Sequence, residues 1–191
     1  ALSPRADEEL FSTYPSKDTN KTRIMVIGSS QTRGEGISLA GEDFVSQFAK
    51  LLNKNCLNPD EKFEVINVGR DGQTAEDLFI HFKNQWIKLK PEIVIVNLSS
   101  NDEEYEDGVN FANYLEEFAQ MSQKYNFKLI FVAEAVSVEY KQKLQTHQIM
   151  QKVAEEYQIT FINMHEYLAD HLEEGILWWD FVHPTSFGYQ L

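Results

Sequence analysis

The sequence predicts a three-layer, doubly wound α/β fold, in which about five parallel strands form one sheet with helices on both faces. Short apolar runs rich in β-branched residues alternate along the chain with longer amphipathic segments. The apolar runs lack the polar–apolar alternation of a strand that has one solvated face, so we expect both faces of the sheet to be buried. Right-handed crossovers should connect the strands.

The expected elements follow one another from residue 23 onwards. The strand-like runs cover residues 23–27, 63–67, 93–98, 128–132 and 160–162. Apolar residues at helical spacing predict helices around residues 44–52, 75–86, 111–119 and 144–157. Residues 1–22 are polar, contain Pro4 and Pro15, and show no periodicity. We therefore expect an N-terminal arm over residues 1–22 and one α/β domain over residues 23–191.

The composition argues against several classes of partner and cofactor. The chain of 191 residues carries 30 acidic and 17 basic residues, a net charge of -13 that repels nucleic acid and anionic membrane surfaces. No apolar run reaches the ~18 residues of a membrane-spanning helix. Cys56 is the single cysteine, which excludes an intrachain disulfide and a thiolate metal cluster. The histidines lack ligand spacing, so we expect no metal and no cofactor, and His147 should be a core or boundary histidine.

Loops rich in glycine, serine and amide residues follow the first three predicted strands. They cover residues 28–36, 67–74 and 99–102. Ligands of doubly wound sheets bind at the carboxyl ends of the strands, near the point where the strand order reverses, so these loops should converge there. The first loop lacks both the lysine of a Walker loop and the spacing of G-x-G-x-x-G. A flavodoxin-like, anion-binding loop stays open as an alternative.

A second signal lies near the C-terminus, in the segment Trp178-Trp179-Asp180-Phe181-Val182-His183-Pro184. An aspartate three residues before a histidine can hold its carboxylate against the imidazole Nδ1 within one turn, which leaves Nε2 to take a proton from a hydroxyl. Adjacent side chains point in different directions, so we expect Trp178 and Trp179 to divide between packing and ligand stacking, or both to join the core.

Four blocks together resemble the SGNH hydrolase superfamily, the GDSL-type esterases and lipases. They read Gly28-Ser29-Ser30-x-Thr32-x-Gly34, Asn67-x-x-x-x-Gly72, Ser99-x-Asn101-Asp102 and Asp180-x-x-His183-Pro184. The blocks stand in the family's order and extend over nearly the whole chain. The resemblance implies a flavodoxin-like sheet, ester hydrolysis and a location outside the cytoplasm.

The resemblance also implies a role for each block. Ser30 would be the nucleophile, His183 its base, and Asp180 the residue that orients that base. The backbone N–H groups of Ser30 and Gly72 and the side-chain amide of Asn101 would form the oxyanion hole.

Two positions depart from the family pattern. Ser29 stands where the family most often has aspartate, and because this position is not a catalytic one we expect it to tolerate change. Ser99 stands where the third block normally has glycine, which puts a side chain into a tight turn and bears on the placement of Asn101.

The sequence therefore predicts a serine esterase that hydrolyses an acyl ester through an acyl-enzyme. A carbohydrate O-acetyl ester or another short acyl ester is favoured as the small-molecule substrate, because no broad apolar entrance is visible in the sequence. Two alternatives stay open. One is acyl transfer to a sugar acceptor by the same three residues, and the other is a non-catalytic or anion-binding module.

Overall fold

The computed structural model describes residues 4–14, 17, 20–37, 39–56, 62–105, 108–136 and 144–191. Its strands are β1 (Lys21–Gly28), β2 (Lys62–Asn67), β3 (Ile93–Leu98), β4 (Lys128–Ala133) and β5 (Thr160–Asn163). They form one sheet in the order β2-β1-β3-β4-β5, and every neighbouring pair is parallel. This is the flavodoxin-like order, and it confirms the predicted fold class. The strand order reverses between β1 and β3.

Helices connect these strands in the described ranges. They are α1 (Pro4–Thr13), α2 (Ser30–Arg33), α3 (Phe44–Asn55), α4 (Ala75–Asn84), α5 (Ser100–Tyr105), α6 (Gly108–Tyr125), α7 (Gln145–Tyr157) and α8 (Met164–Asp170), with a 3-10 turn at Trp86–Leu89. The four predicted helices correspond to α3, α4, α6 and α7. Helices α2, α5 and α8 span 4, 6 and 7 residues, too short for a periodic pattern to reveal them. None of the described helices is long and apolar enough to cross a membrane.

Side-chain caps fix where several helices begin. Asp43 precedes α3 and accepts a hydrogen bond from Ser46 N at 2.8 Å, which satisfies one of the unpaired N–H groups of the first turn. Helix α7 has no such cap in its own sequence. Instead, the Glu103 carboxylate of α5 accepts hydrogen bonds from Thr146 N and Thr146 Oγ1, at 2.8 and 2.7 Å. The start of α7 therefore depends on a residue from a different helix.

The sheet is buried on both faces, as the apolar runs predict. Successive residues of β1 show it, because Ile24 and Met25 point to opposite faces and both are buried. The larger core lies between the sheet and helices α4, α6 and α7. A smaller cluster joins the other face of the sheet to α3.

Helix α1 lies within residues 1–22, where the sequence shows no periodicity. The Asp7 carboxylate accepts a buried hydrogen bond from Trp86 Nε1 at 2.9 Å. Leu10 and Phe11 pack against the larger core. These contacts join the segment to the α/β domain, and β1 begins at Lys21, two residues before the predicted start. The division into an arm and a domain stays a prediction.

Candidate active site

The loops of the first three blocks meet at the carboxyl edge of the sheet, where the strand order reverses. Asn67 and Asn97, near the carboxyl ends of β2 and β3, both donate to Thr32 of α2. Asn67 Nδ2 reaches Thr32 O at 2.8 Å, and Asn97 Nδ2 reaches Thr32 Oγ1 at 3.0 Å. Arg70 N also donates to Gly28 O at 2.9 Å. The asparagines thereby fix the short helix that begins with Ser30.

Gly28 allows the chain to turn directly from β1 into this helix. A Cβ atom at Gly28 would overlap Thr32 Oγ1 and the backbone oxygen of Asn97. Any side chain at this position would push α2 away from the end of β3. The first glycine of the first block is therefore required by a close approach.

Ser30, His183 and Asp180 form a continuous chain of hydrogen bonds. His183 Nε2 lies 2.9 Å from Ser30 Oγ, and His183 Nδ1 lies 2.8 Å from Asp180 Oδ2. Asp180 Oδ1 also accepts from the backbone N–H groups of Val182 and His183, at 2.9 and 2.7 Å. Partial burial acts to raise the pKa of Asp180, but the hydrogen bond from the His183 ring and those from the backbone outweigh it, so the pKa lies below its ordinary value.

Gln31 joins the two halves of this arrangement, and no sequence motif indicated that role. Its side chain is buried, and Nε2 donates to Ala135 O and to Val182 O, both at 2.7 Å. One amide thus ties the residue after Ser30 to the residue before His183. In the sequence only the position of Gln31, directly after Ser30, draws attention to it, and nothing there relates it to Val182.

Gly72 lies on the loop after β2, and Asn101 lies in the first turn of α5, after β3. Asn101 Nδ2 donates to Gln73 O at 2.9 Å, which leaves the second amide hydrogen of Asn101 for another acceptor. Gly72 has a φ of +66°, which favours glycine, and the position of its missing Cβ has no atom within 4 Å. Among the described residues, the backbone N–H of Gly72 has no hydrogen-bond acceptor.

Ser99 adopts an unusual backbone conformation for a residue with a side chain. Its φ is +155°, and it is fully buried. Ser99 Oγ accepts from Glu134 N at 3.2 Å and lies 3.0 Å from His147 Nε2. The position thus retains the backbone strain that a glycine would avoid, and the two hydrogen bonds hold it in place.

His147 is buried, as expected for a core histidine. Burial, together with the nearby His165 ring, lowers the pKa of His147 to about 4. When His147 is neutral, its Nε2 can accept a hydrogen bond from the Ser99 hydroxyl. When His147 is protonated, both ring nitrogens carry a hydrogen and it cannot accept one.

A cleft of about 760 Å³ is lined by residues on both sides of His183 in the sequence, Trp179 and Thr185 among them, but not by His183 or Ser30 themselves. Trp179 lines it and is 69% exposed, whereas Trp178 packs against the cluster around Leu177. One of the two tryptophans therefore packs and the other is exposed to the cleft. Gly36 also lines the cleft, and a Cβ on it would lie 3.2 Å from both His183 Cβ and Trp179 Cβ.

No set of three or more potential ligands in the described ranges is arranged to hold a metal ion. The absence of a metal and of a cofactor stays a prediction.

The pKa of His147 gives the folded protein a pH dependence that can be measured. As the pH falls from about 6.5 to about 4, the unfolded chain binds a proton at this side chain and the folded chain does not. The free energy of unfolding should therefore fall over that range, and urea unfolding at pH 7 and pH 5 measures the loss. His147→Gln should show a smaller loss than the wild type, while His171→Gln, at a less buried histidine, should keep the wild-type loss. Equal losses in the wild type and His147→Gln would contradict this account.

Several solved esterases share this fold. The acetyl xylan esterase AlAXEase superimposes with a TM-score of 0.74 at 19% identity, over 88% of this chain and 94% of its own. Axe2, an acetylxylan esterase from Geobacillus stearothermophilus, gives a TM-score of 0.73 at 20% identity, over 88% of this chain and 89% of its own. A two-domain esterase active on acetylated mannans gives 0.73 at 19% identity, over 97% of this chain and 49% of its own. At these identities the likeness shows the fold.

No curated protein matches the sequence significantly. The model of the GDSL-like lipase and acylhydrolase family matches residues 26–191, a range that contains all four blocks. The family resemblance drawn from those blocks is thereby confirmed. The chain belongs to the GDSL-like lipase/acylhydrolase family, which is a family of carboxylic-ester hydrolases.

Proposed function

We propose that this esterase cleaves its substrate through a covalent acyl-enzyme on Ser30, with His183 as the base and Asp180 orienting that base. The observation that carries the proposal is the hydrogen-bond chain from Ser30 Oγ through the imidazole to Asp180 Oδ2, with lengths of 2.9 and 2.8 Å. Nucleophile, base and orienting carboxylate in this order are the arrangement that acyl transfer requires. Family membership and this geometry argue against a non-catalytic, anion-binding module.

The reaction follows from the positions of these three side chains. Ser30 Oγ attacks the ester carbonyl carbon while its proton moves to His183 Nε2. The tetrahedral intermediate then expels the alcohol, which takes that proton from the imidazolium. A water molecule repeats the sequence on the acyl-enzyme, releases the acid and restores Ser30. Asp180, whose lowered pKa keeps it ionised at neutral pH, stabilises the imidazolium in both halves.

The negative charge that develops on the substrate oxygen needs donors that point at it before the reaction begins. The backbone N–H groups of Ser30 and Gly72 and the second amide hydrogen of Asn101 are the candidates. Support for them comes from the open space at Gly72 and from the Asn101–Gln73 contact, which joins the two loops.

A fluorophosphonate probe tests the nucleophile directly. The wild type should be labelled on Ser30, and Ser30→Ala should lose both labelling and hydrolysis of p-nitrophenyl acetate. Asp180→Asn should keep the fold but lower kcat by up to ~10⁴-fold, because the amide favours the wrong imidazole tautomer. Ser12→Ala, on α1, is the control. Hydrolysis by pure Ser30→Ala at the wild-type rate would rule out Ser30.

The oxyanion assignment gives a separate kinetic result. Asn101→Ala should lower kcat by ~10²-fold or more with little change in KM, since the interaction strengthens only in the transition state. Asn101→Asp should do at least as much damage, because a carboxylate has no hydrogen to donate. Circular dichroism and thermal unfolding should confirm that both variants are folded. A near-normal kcat in Asn101→Ala would remove Asn101 from the oxyanion hole.

The cleft that Trp179 lines supports an acetylated carbohydrate as the substrate. The exposed indole of Trp179 offers an apolar face to a pyranose ring, and Glu35 and Glu174 border the same cleft with groups that accept hydrogen bonds from sugar hydroxyls. The structural relatives named above act on acetylated xylan or acetylated mannans. We therefore propose the O-acetyl groups of a plant-type polysaccharide or its oligosaccharides.

Trp179→Ala should distinguish binding of the saccharide from hydrolysis of the acyl group. Because the indole would contact only the sugar, KM for acetylated xylo-oligosaccharides should rise about 10-fold, while kcat/KM for p-nitrophenyl acetate should stay within about 2-fold. Trp179→Phe should keep most of the saccharide affinity. Acetate release measured on both substrates decides the matter. Equal effects on the two substrates would refute a sugar subsite at Trp179.

A further inference from the structure

We propose that Glu134 is a positioning residue that acts through Ser29 and Ser100. It fixes the segment that contains Ser30 (residues 28–36) relative to the segment that contains Asn101 (residues 99–102). The proposal rests on the proposed role of Ser30 and extends it to a residue outside the four blocks. Glu134 directly follows β4, and its side chain is fully buried.

The Glu134 carboxylate bridges the two loops with one oxygen each. Its Oε1 accepts a short hydrogen bond from Ser29 Oγ. Its Oε2 accepts from Ser100 N at 3.0 Å. Ser29 and Ser100 immediately precede Ser30 and Asn101 in the sequence, so each carboxylate oxygen is one residue away from a group proposed for catalysis.

The backbone of Glu134 is tied to the same loop. Glu134 N donates to Ser99 Oγ, and that hydroxyl also contacts His147 Nε2 at 3.0 Å. Ser99 has a φ of +155°, a value at which an unsupported serine would relax. The side chain and the backbone of one residue thus restrain three positions, Ser29 on the first loop and the consecutive residues Ser99 and Ser100 on the third.

The donors in this contact explain why a carboxylate stands there. Ser29 Oγ–H and Ser100 N–H both need an acceptor, and of the buried side chains only an ionised carboxylate offers two acceptor oxygens without any donor. Burial acts to raise the pKa of Glu134, while the hydrogen bonds from Ser29 and Ser100 and the nearby His183 oppose that rise. Among the described residues, no lysine or arginine pairs with it. The hydrogen bonds therefore offset only part of the cost of its burial, and the pKa of Glu134 stays above its ordinary value.

Removal of the bridge should affect turnover more than substrate binding. Glu134→Ala should lower kcat by about 10- to 100-fold, with KM for p-nitrophenyl acetate changed by less than about 3-fold, because a displaced nucleophile loses reactive alignment. The rate of fluorophosphonate labelling of Ser30 should fall by a similar factor. Glu134→Gln, which keeps an acceptor for Ser100 N and lets the Ser29 hydroxyl turn to accept, should recover most of the loss.

Arg23→Met is the matched control for a lost buried polar contact. Arg23 is also fully buried, but it lies at the start of β1, at the opposite edge of the sheet, where it bonds to Glu64 and to Leu89 O. Its replacement should lower the melting temperature and leave kcat of the folded enzyme unchanged. A role of Glu134 in stability alone would make Glu134→Ala behave like Arg23→Met.

The decisive experiment exchanges the donor at position 29 and the acceptor at position 134. Ser29→Asp should lower kcat at least 10-fold, because it replaces the hydroxyl donor by a second buried carboxylate that repels Glu134. Combining Ser29→Asp with Glu134→Gln restores one donor between the two side chains and should raise kcat at least 5-fold above that of Ser29→Asp. Melting temperatures should show that the wild type, Ser29→Asp, Glu134→Gln and the double variant are all folded.

The outcomes separate this inference from the proposed function. A wild type that is labelled on Ser30, together with Glu134→Ala labelled at the same rate, would overturn the positioning role alone. A double variant no more active than Ser29→Asp would do the same. A wild type that is not labelled would overturn the role of Ser30 and the inference with it.

Discussion

The hydrogen bond between Ser30 Oγ and His183 Nε2 joins two residues that are 153 positions apart in the chain. The Ser30 hydroxyl lies at the start of α2, and the His183 imidazole lies on a separate turn. Their 2.9 Å contact is kept only if both segments are rigid. Gly28 sets the first loop by allowing α2 to pack directly on the end of β3. Asp180 sets the second by accepting two backbone N–H groups in addition to the ring. Gln31 then joins the two loops through Val182 O. The contact between Ser30 and His183 is thus the product of three separate restraints, each of which acts on the backbone.

The sheet order explains why these restraints meet at one place. Because β1 pairs with both β2 and β3, the loops that follow these three strands leave the sheet side by side. Asn67 and Asn97, near the carboxyl ends of β2 and β3, can both reach Thr32 for that reason. The crossover connections leave in opposite directions at this point, so a crevice forms there. The fold supplies the crevice, and the asparagines fix the position of Ser30 within it.

The sequence alone predicts the parts of this protein that depend on local patterns. The five strands and the four long helices follow from runs and spacings, and Ser30, Asp180 and His183 follow from short motifs. Helix α1 cannot be predicted in this way, because it is held by the hydrogen bond between Asp7 and Trp86, which lie 79 residues apart. Gln31 was missed because nothing in the sequence relates it to Val182. Ser29 was expected to tolerate change because it is not a catalytic group. Its buried contact with Glu134, 105 residues later, argues for the opposite and is visible only in three dimensions.

The environments of Asp180 and Glu134 assign them different tasks. Asp180 is partly exposed, its pKa is lowered, and it bonds directly to the His183 ring. Glu134 is fully buried, its pKa is raised, and it reaches the site only through Ser29 and the backbone of Ser100. Two carboxylates whose pKa values are pushed apart can serve one site without competing for the same proton. Ser29 stands where the family most often has an aspartate, and here the carboxyl group next to this position belongs to Glu134, after β4. The Ser29 hydroxyl thereby links a carboxyl group from a different strand to the residue before Ser30, and the Ser100 N–H links the same carboxyl group to the start of α5.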